Sequence, residues 1–181
     1  MHWIVTEIDG HIASVAADYR YLAEIAARIA AQHAPDAVDC VSTRKISTDE
    51  LEELARTIRW EDLHLYGTKF QKSVWKALFD LTHEGGDPTL LSYTDFAAHI
   101  GNPQGVRAVA HAVAMNPVAG VIPCHLIVPK ESIDRIHSIR RDAESTLFQG
   151  SDLYLLDTID VGEYAYGPEL KRELIKRQLS R

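Results

Sequence analysis

An α+β protein in two parts is the fold class that this sequence predicts, and three observations predict it. Two β-prone runs flank Asp9-Gly10 near the start, the pattern of a hairpin closed by a tight turn. Three boxes of the form Ser/Thr-x-x-Glu/Gln/Asp, at Ser47–Glu50, Thr68–Gln71 and Ser92–Asp95, each open a stretch of apolar residues at helical spacing. The charge is also uneven along the chain. Residues 1–66 hold 12 acidic against 6 basic side chains, whereas residues 67–130 hold 4 against 5. The expected division is a small α+β domain over 1–65, then a mainly helical domain over 66–181.

Taken in order, Trp3 to Val15 forms the hairpin, and Asp18 caps a helix carrying Leu22, Ile25, Ala26 and Ile29 on one face. Ala34-Pro35-Asp36 ends that helix, and Val38 to Ile46 reads as a further strand. Ser47 then caps a helix with Leu51, Leu54, Ala55 and Ile58 inward. The helix after Thr68 is expected to bury Phe70, Val74, Leu78 and Leu81, and Glu84–Pro88 is a loop. Ser92 opens a short helix through Phe96, Ala97 and Ile100 that stops at Gly101, and Asn102 is expected to cap another with Pro103 at its first position. Two short helices about a glycine-containing turn make a helix-turn-helix candidate. On the second, Val106, Val109, Ala110 and Val113 face inward, and Arg107, His111, Ala114 and Met115 lie opposite, with Ala108 beside the arginine. One arginine among small residues suits close approach to a narrow groove better than the reading of several base edges.

Composition sets outer bounds. A chain of 181 residues with 46% hydrophobic and 25% charged content is that of an ordinary globular protein with length for a sizeable core. No run is apolar enough to span a bilayer, and the start lacks a basic segment followed by an apolar one, so neither a membrane partner nor a secretory signal is expected. Two cysteines, Cys40 and Cys124, make no disulfide framework, and a reducing cytoplasm is the expected location. Cys40 and His33 lack companions at ligand spacing, so no metal site and no cofactor are expected. The net charge of −7 speaks against a strongly basic nucleic-acid binder, but the acidity is concentrated in the N-terminal third.

The chemistry points to Asn116-Pro-Val-Ala-Gly-Val-Ile-Pro-Cys-His125. Pro123 restricts the backbone and pushes Ile122 toward extended geometry, which places Cys124 on a fixed turn. A lone cysteine is more often a small buried hydrophobe. An imidazole directly after it, and a proline directly before it, favour a nucleophilic thiolate instead.

These residues carry a resemblance. Gly67-Thr-Lys-Phe-Gln-Lys-Ser-Val-Trp-Lys-Ala-Leu78, Ser92-Tyr93, Gly101-Asn-Pro103, Arg107-Ala-Val109, Asn116-Pro117, Ile122-Pro-Cys-His125 and, after a gap, Gly162-Glu-Tyr-Ala-Tyr-Gly167 with Lys171 stand in the order seen in the O6-alkylguanine-DNA alkyltransferases. The chain resembles that family over most of residues 66–179. The resemblance implies a winged helix-turn-helix character for the second domain. It implies that Cys124 accepts an alkyl group from O6 of guanine, irreversibly and once. His125 would act as base through a water, Tyr93 would rotate the nucleotide and protonate the departing guanine, and Asn116 would brace the turn. Arg107 would enter the duplex in place of the flipped base, with Ala108 and His111 alongside on the minor groove. Ile127, Tyr164 and the Ala165 amide would line the guanine pocket. The implied partner is double-stranded DNA holding O6-alkylguanine, met by a monomer with no cofactor.

The chain also departs from the family. Leu126 follows the Pro-Cys-His where the family usually has arginine, Gln178 stands where a glutamate orients the histidine, and Ala165 replaces a polar residue seen in some members. A change of register would offer Glu173 as the carboxylate. An insert over 126–161 separates Cys124 from Gly162; it is read as a surface elaboration whose first part is an amphipathic helix with Ile133, Ile136 and Ile139, and its Arg135, Arg140 and Arg141 are available to phosphate. The rival expectation is a lesion-binding protein that flips and flags the base without accepting its alkyl group.

Overall fold

The computed structural model describes residues 1–17, 41–83, 89–144 and 152–180. The expected helix after Asp18 lies outside these residues, as does Cys40. By packing, the chain gathers into two compact units: Met1–Gly85 with Met115–Cys124, and Gly86–Ala114 with His125–Arg181. This grouping follows spatial contact. The division into 1–65 and 66–181 follows the sequence pattern and the uneven charge, and we retain it as a proposal about domains.

In the first unit, β1 (His2–Ile8) and β2 (His11–Ala16) form the antiparallel hairpin. Asp9 and Gly10 both adopt positive φ, 51° and 77°, the signature of the turn whose twist matches a two-residue hairpin. β3 (Val41–Ser47) pairs antiparallel with the other edge of β1, giving the order β2-β1-β3. Trp3, Ile4, Val5 and Thr6 are successive and all buried, as a central strand covered on both faces requires. Two further segments dock on the outer edge of β2: His64 N–H donates to Ile12 O at 2.8 Å, and Val15 N–H donates to Pro117 O at 3.0 Å.

α1 (Thr48–Thr57) starts at the expected box. The Ser47 hydroxyl accepts from Glu50 N–H at 3.2 Å, and the Glu50 carboxylate accepts from Ser47 N–H at 2.7 Å. Those bonds hold the Glu50 carboxyl below its ordinary range. α2 (Lys69–Asp80) repeats the arrangement with Thr68 and Gln71. It buries Val74, Trp75, Leu78 and Phe79, while Phe70 is 38% exposed and Leu81 only half-buried. The expected stripe was therefore right at its centre and wrong at its ends. The larger rings of Trp75 and Phe79 turn the buried face toward themselves, and Trp75 fills the space that a Cβ at Gly67 would need.

In the second unit, β4 (Leu91–Ser92) and β5 (Ile127–Val128) form a parallel pair, with Leu91 opposite Ile127 and Ser92 opposite Val128. α3 (Tyr93–His99) begins with Ser92 accepting from Asp95 N–H at 3.0 Å. Only half of the third box forms, because the Asp95 carboxylate accepts a hydrogen bond from the Ser92 hydroxyl, at 2.6 Å, instead of from the backbone N–H. α3 ends in a Schellman motif: Gly101 has φ +73°, and Asn102 N–H donates to Ala97 O at 2.8 Å. This use of Asn102 corrects the expected start of the next helix. Asn102 to Gly105 closes a separate turn, and α4 (Val106–Ala114) begins three residues later than Pro103.

α5 (Lys130–Glu144) and a 3-10 turn at Asp152–Asp157 occupy the insert, and α6 (Pro168–Leu179) follows. The insert is not a surface elaboration. Ile136, Leu155, Leu156, Ile159 and Val161 are buried in one core cluster with Val128 and with Ile175 of α6, and Ile133 and Ile139 pack against it. A mixed α+β fold with a helix-turn-helix is thus what the residues build.

Replacing Ser47 with alanine removes one side of a reciprocal cap. A loss of about 1 kcal/mol in urea unfolding is expected, and an unchanged midpoint would show that the box contributes nothing.

Candidate functional site

In the first unit, the segment Met115–Cys124 is fixed at three levels. Val15 N–H donates to Pro117 O at 3.0 Å and Ala119 N–H to Val15 O at 3.1 Å, so the segment continues the sheet beyond β2 in a parallel bridge at Val118. Ile122 N–H then returns to Val118 O at 2.9 Å around Gly120, whose φ is +80°. Finally, Cys124 N–H donates to Ile122 O at 2.8 Å across Pro123, a three-residue turn for which proline's fixed φ is already suited.

Asn116 ties these levels together. Its Oδ1 accepts from Val118 N–H at 3.0 Å, while Nδ2 donates to Ile122 O at 2.9 Å and to Cys124 Sγ at 3.1 Å. Ile122 O therefore receives two donors, one on each lone pair. Cys124 is 8% exposed and carries a free thiol. An amide N–H directed at its sulfur has the polarity that suits a thiolate.

The other residues singled out from sequence fall in the second unit. His125 is 1% exposed, in the 3-10 turn Cys124–Leu126 that continues into β5. Ile127 lies on β5 opposite Leu91, and Tyr93 opens α3 directly after Ser92, which pairs with Val128. Tyr93 therefore leaves β4 at the C-terminal end of the pair, one residue beyond the level of Val128, whereas Ile127 opens β5 at the other end. On α4, Arg107, Ala108, His111 and Ala114 are exposed, and Val109, Ala112 and Val113 are buried. Tyr164 and Tyr166 meet edge to face at 5.7 Å between ring centres, and Ala165 between them is exposed. Gly167 N–H closes that loop onto Tyr164 O at 3.0 Å.

Sequence reasoning named Lys171 in the family-like motif but did not foresee its burial. Lys171 is 1% exposed and its Nζ donates to Ile127 O at 2.8 Å. Its signal was present in α6, where Leu170, Lys171, Leu174 and Ile175 share the buried face and a lysine stands among leucines. Gln178 is half-buried on the same helix, whereas Glu173 is exposed and paired with Arg177 at 3.1 Å. Leu126 is fully buried. His64 stacks on Tyr66 and His83 on Phe79, the latter with Nδ1 2.8 Å from Phe79 O at the end of α2. Among the described residues, no group of three or more His, Cys, Asp or Glu side chains is placed to hold a metal ion, and no helix is long and apolar enough to cross a membrane.

The arrangement defines a class: an α+β protein that joins a buried, amide-held cysteine to a helix-turn-helix with one outward arginine. Residues 69–134 match the family model for the 6-O-methylguanine DNA methyltransferase, DNA binding domain. A probable methylated-DNA–protein-cysteine methyltransferase of Acanthamoeba polyphaga mimivirus is 45% identical over 71 residues, 39% of this chain and 45% of that protein. The methylated-DNA–protein-cysteine methyltransferase of Haemophilus influenzae is 43% identical over 65 residues, 36% of this chain and 34% of that one. The chain thus spans less than half the length of these curated relatives. The crystal structure of O6-methylguanine-DNA methyltransferase from Pyrococcus kodakaraensis KOD1 shares the fold, with a TM-score of 0.61 and 19% identity over 98% of this chain and 91% of that one.

The Asn116 amide yields a prediction. Asn116→Asp replaces two N–H donors with acceptors facing Ile122 O and Sγ, and should destabilise the protein by about 1–3 kcal/mol. Urea unfolding measures this; a change below about 0.5 kcal/mol, the usual range for surface substitutions, would mean that the amide does not hold the turn.

Proposed function

We propose that this protein repairs DNA by transferring an alkyl group, a methyl in the simplest case, from O6 of guanine to Cys124. The observation that carries this reading is the Asn116 Nδ2–Cys124 Sγ contact, on a segment pinned to a sheet edge and lying within the matched family region. An amide donor on the sulfur favours the thiolate form, and a nucleophile gains from a backbone that cannot drift from the line of attack.

The step balances without a cofactor. The Cys124 thiolate attacks the alkyl carbon, a C–S bond forms as the O6–C bond breaks, and guanine leaves with the electron pair. Protonation of the departing ring avoids a full negative charge on it, and we assign that proton to Tyr93. His125 takes the thiol proton through a water. The thioether is stable, so the protein is consumed once per lesion. The substrate atom lies inside a stacked duplex and must be extruded before sulfur can reach it. We assign Arg107 to the space left by that base, with Ala108 and His111 alongside in the minor groove, and Ile127, Tyr164 and the Ala165 amide to the extruded guanine. The protein would act as a monomer on double-stranded DNA.

Incubation with a duplex containing one O6-methylguanine should add the mass of one methyl group, mapped to the peptide holding Cys124. Cys124→Ser should add none, and transfer by that variant would remove Cys124 as acceptor. Arg107→Ala should slow reaction with the duplex by on the order of tenfold, about 1.4 kcal/mol of lost transition-state stabilisation, and leave reaction with free O6-benzylguanine within about twofold. Equal losses on both substrates would argue against a role in holding the duplex open.

A further inference from the structure

We propose that the described parts of the insert brace the Gly162–Gly167 loop, with Ser132 and Asp160 as positioning residues that set which alkyl groups the pocket admits. The proposal rests on the repair reading above, which gives that loop the extruded guanine.

The brace is a chain of contacts within the second unit. Ser132, in the first turn of α5, is 4% exposed, and its hydroxyl donates to Asp160 O. Asp160 Oδ1 in turn accepts from Gly162 N–H at 2.8 Å, so one residue receives the helix through its carbonyl and holds the loop through its side chain. Gly162 has φ +77°, and a Cβ there would lie 3.1 Å from Pro129 Cδ and 3.7 Å from Lys171 Nζ. The start of the loop therefore rests on Pro129, the residue that leads into α5.

The far side of the insert is held from α6. The Arg172 guanidinium donates to Leu156 O and, at 3.3 Å, to Ile159 O. Lys176 pairs with Asp157 at 2.7 Å. Between these fastenings lies the core of Val128, Ile136, Leu155, Leu156, Ile159, Val161 and Ile175. A loop with both its entry and its supports on packed elements cannot widen by sliding outward. A bulky alkyl group must then be accommodated by the loop's own side chains, and a small one meets walls already in place.

Asp160→Ala and Ser132→Ala are compared with wild type, and Asp160→Asn, which keeps an oxygen acceptor for Gly162 N–H, serves as the rescue. Two readouts are taken. The first is the ratio of transfer rates from duplexes holding O6-methylguanine and O6-benzylguanine; the second is hydrogen exchange of the peptide covering 160–167. Both alanine variants should lower the methyl-to-benzyl ratio by roughly fivefold, the size of one net hydrogen bond. They should also speed exchange of the loop by on the order of tenfold, and Asp160→Asn should restore both. Unchanged exchange in Asp160→Ala overturns the brace, and faster exchange with an unchanged ratio in an active protein overturns its role in selecting alkyl groups. A wild type that transfers neither group overturns the repair reading and, with it, the role in selecting alkyl groups; exchange then still decides whether Asp160 braces the loop.

Discussion

The pairing of residues 117–119 with the free edge of β2 is the constraint on which the cysteine-bearing segment depends. A strand edge offers unpaired N–H and C=O groups, and here Val15 spends one of each on Pro117 and Ala119. That docking fixes Val118, Val118 fixes Ile122 through Gly120, and Ile122 O fixes both Cys124 N–H and Asn116 Nδ2. Each bond is modest by itself. Their shared acceptors make them cooperative, because no member can shift without leaving a buried polar group unmet.

The second unit solves a different problem with the same means. Its two-stranded sheet is too short to organise a domain alone, and the insert supplies the missing apolar surface. Ile136 from α5 and Leu155, Leu156 and Ile159 from the 3-10 turn close over Val128 and Ile175. The insert thereby gains a reason to exist that its exposed arginines do not provide. Lys130, Arg135, Arg140 and Arg141 share α5 with Glu131, Asp134, Asp142 and Glu144, so the helix carries no net charge to offer a phosphate backbone.

Much of this was legible in the residues. Asp9-Gly10 announced its turn because few residues tolerate two successive positive φ values, and the boxes at Ser47 and Thr68 announced their helices because the reciprocal bonds need those side chains at that spacing. Where reading failed, a tertiary partner decided. Phe70 fits the helical stripe as well as Phe79 does, but Phe79 finds Trp60 and His83 to pack against and is buried, whereas Phe70 is exposed. Asn102 is as good a helix cap as it is a Schellman terminus, and Gly101 at positive φ commits it to the latter. At the site, Cys124 and Asn116 stood out by their neighbours. The Asn116–Sγ bond and the burial of Lys171 depend on chain returns of eight and more residues, which no local pattern encodes.

Electrostatics sets the terms on which the proposed repair can work. α4 presents one guanidinium among alanines and a histidine, and residues 67–130 are close to neutral, so little affinity can come from displacing counterions. On the proposed reading, weak backbone attraction would leave selectivity to the cost of extruding a base, which is lowest where pairing is already damaged. Small residues around Arg107 would serve that end by letting the helix approach closely without reading sequence. A protein consumed once per lesion would benefit from this division, because little binding free energy would go to intact DNA and a fixed geometry at Cys124 would need no provision for a second cycle.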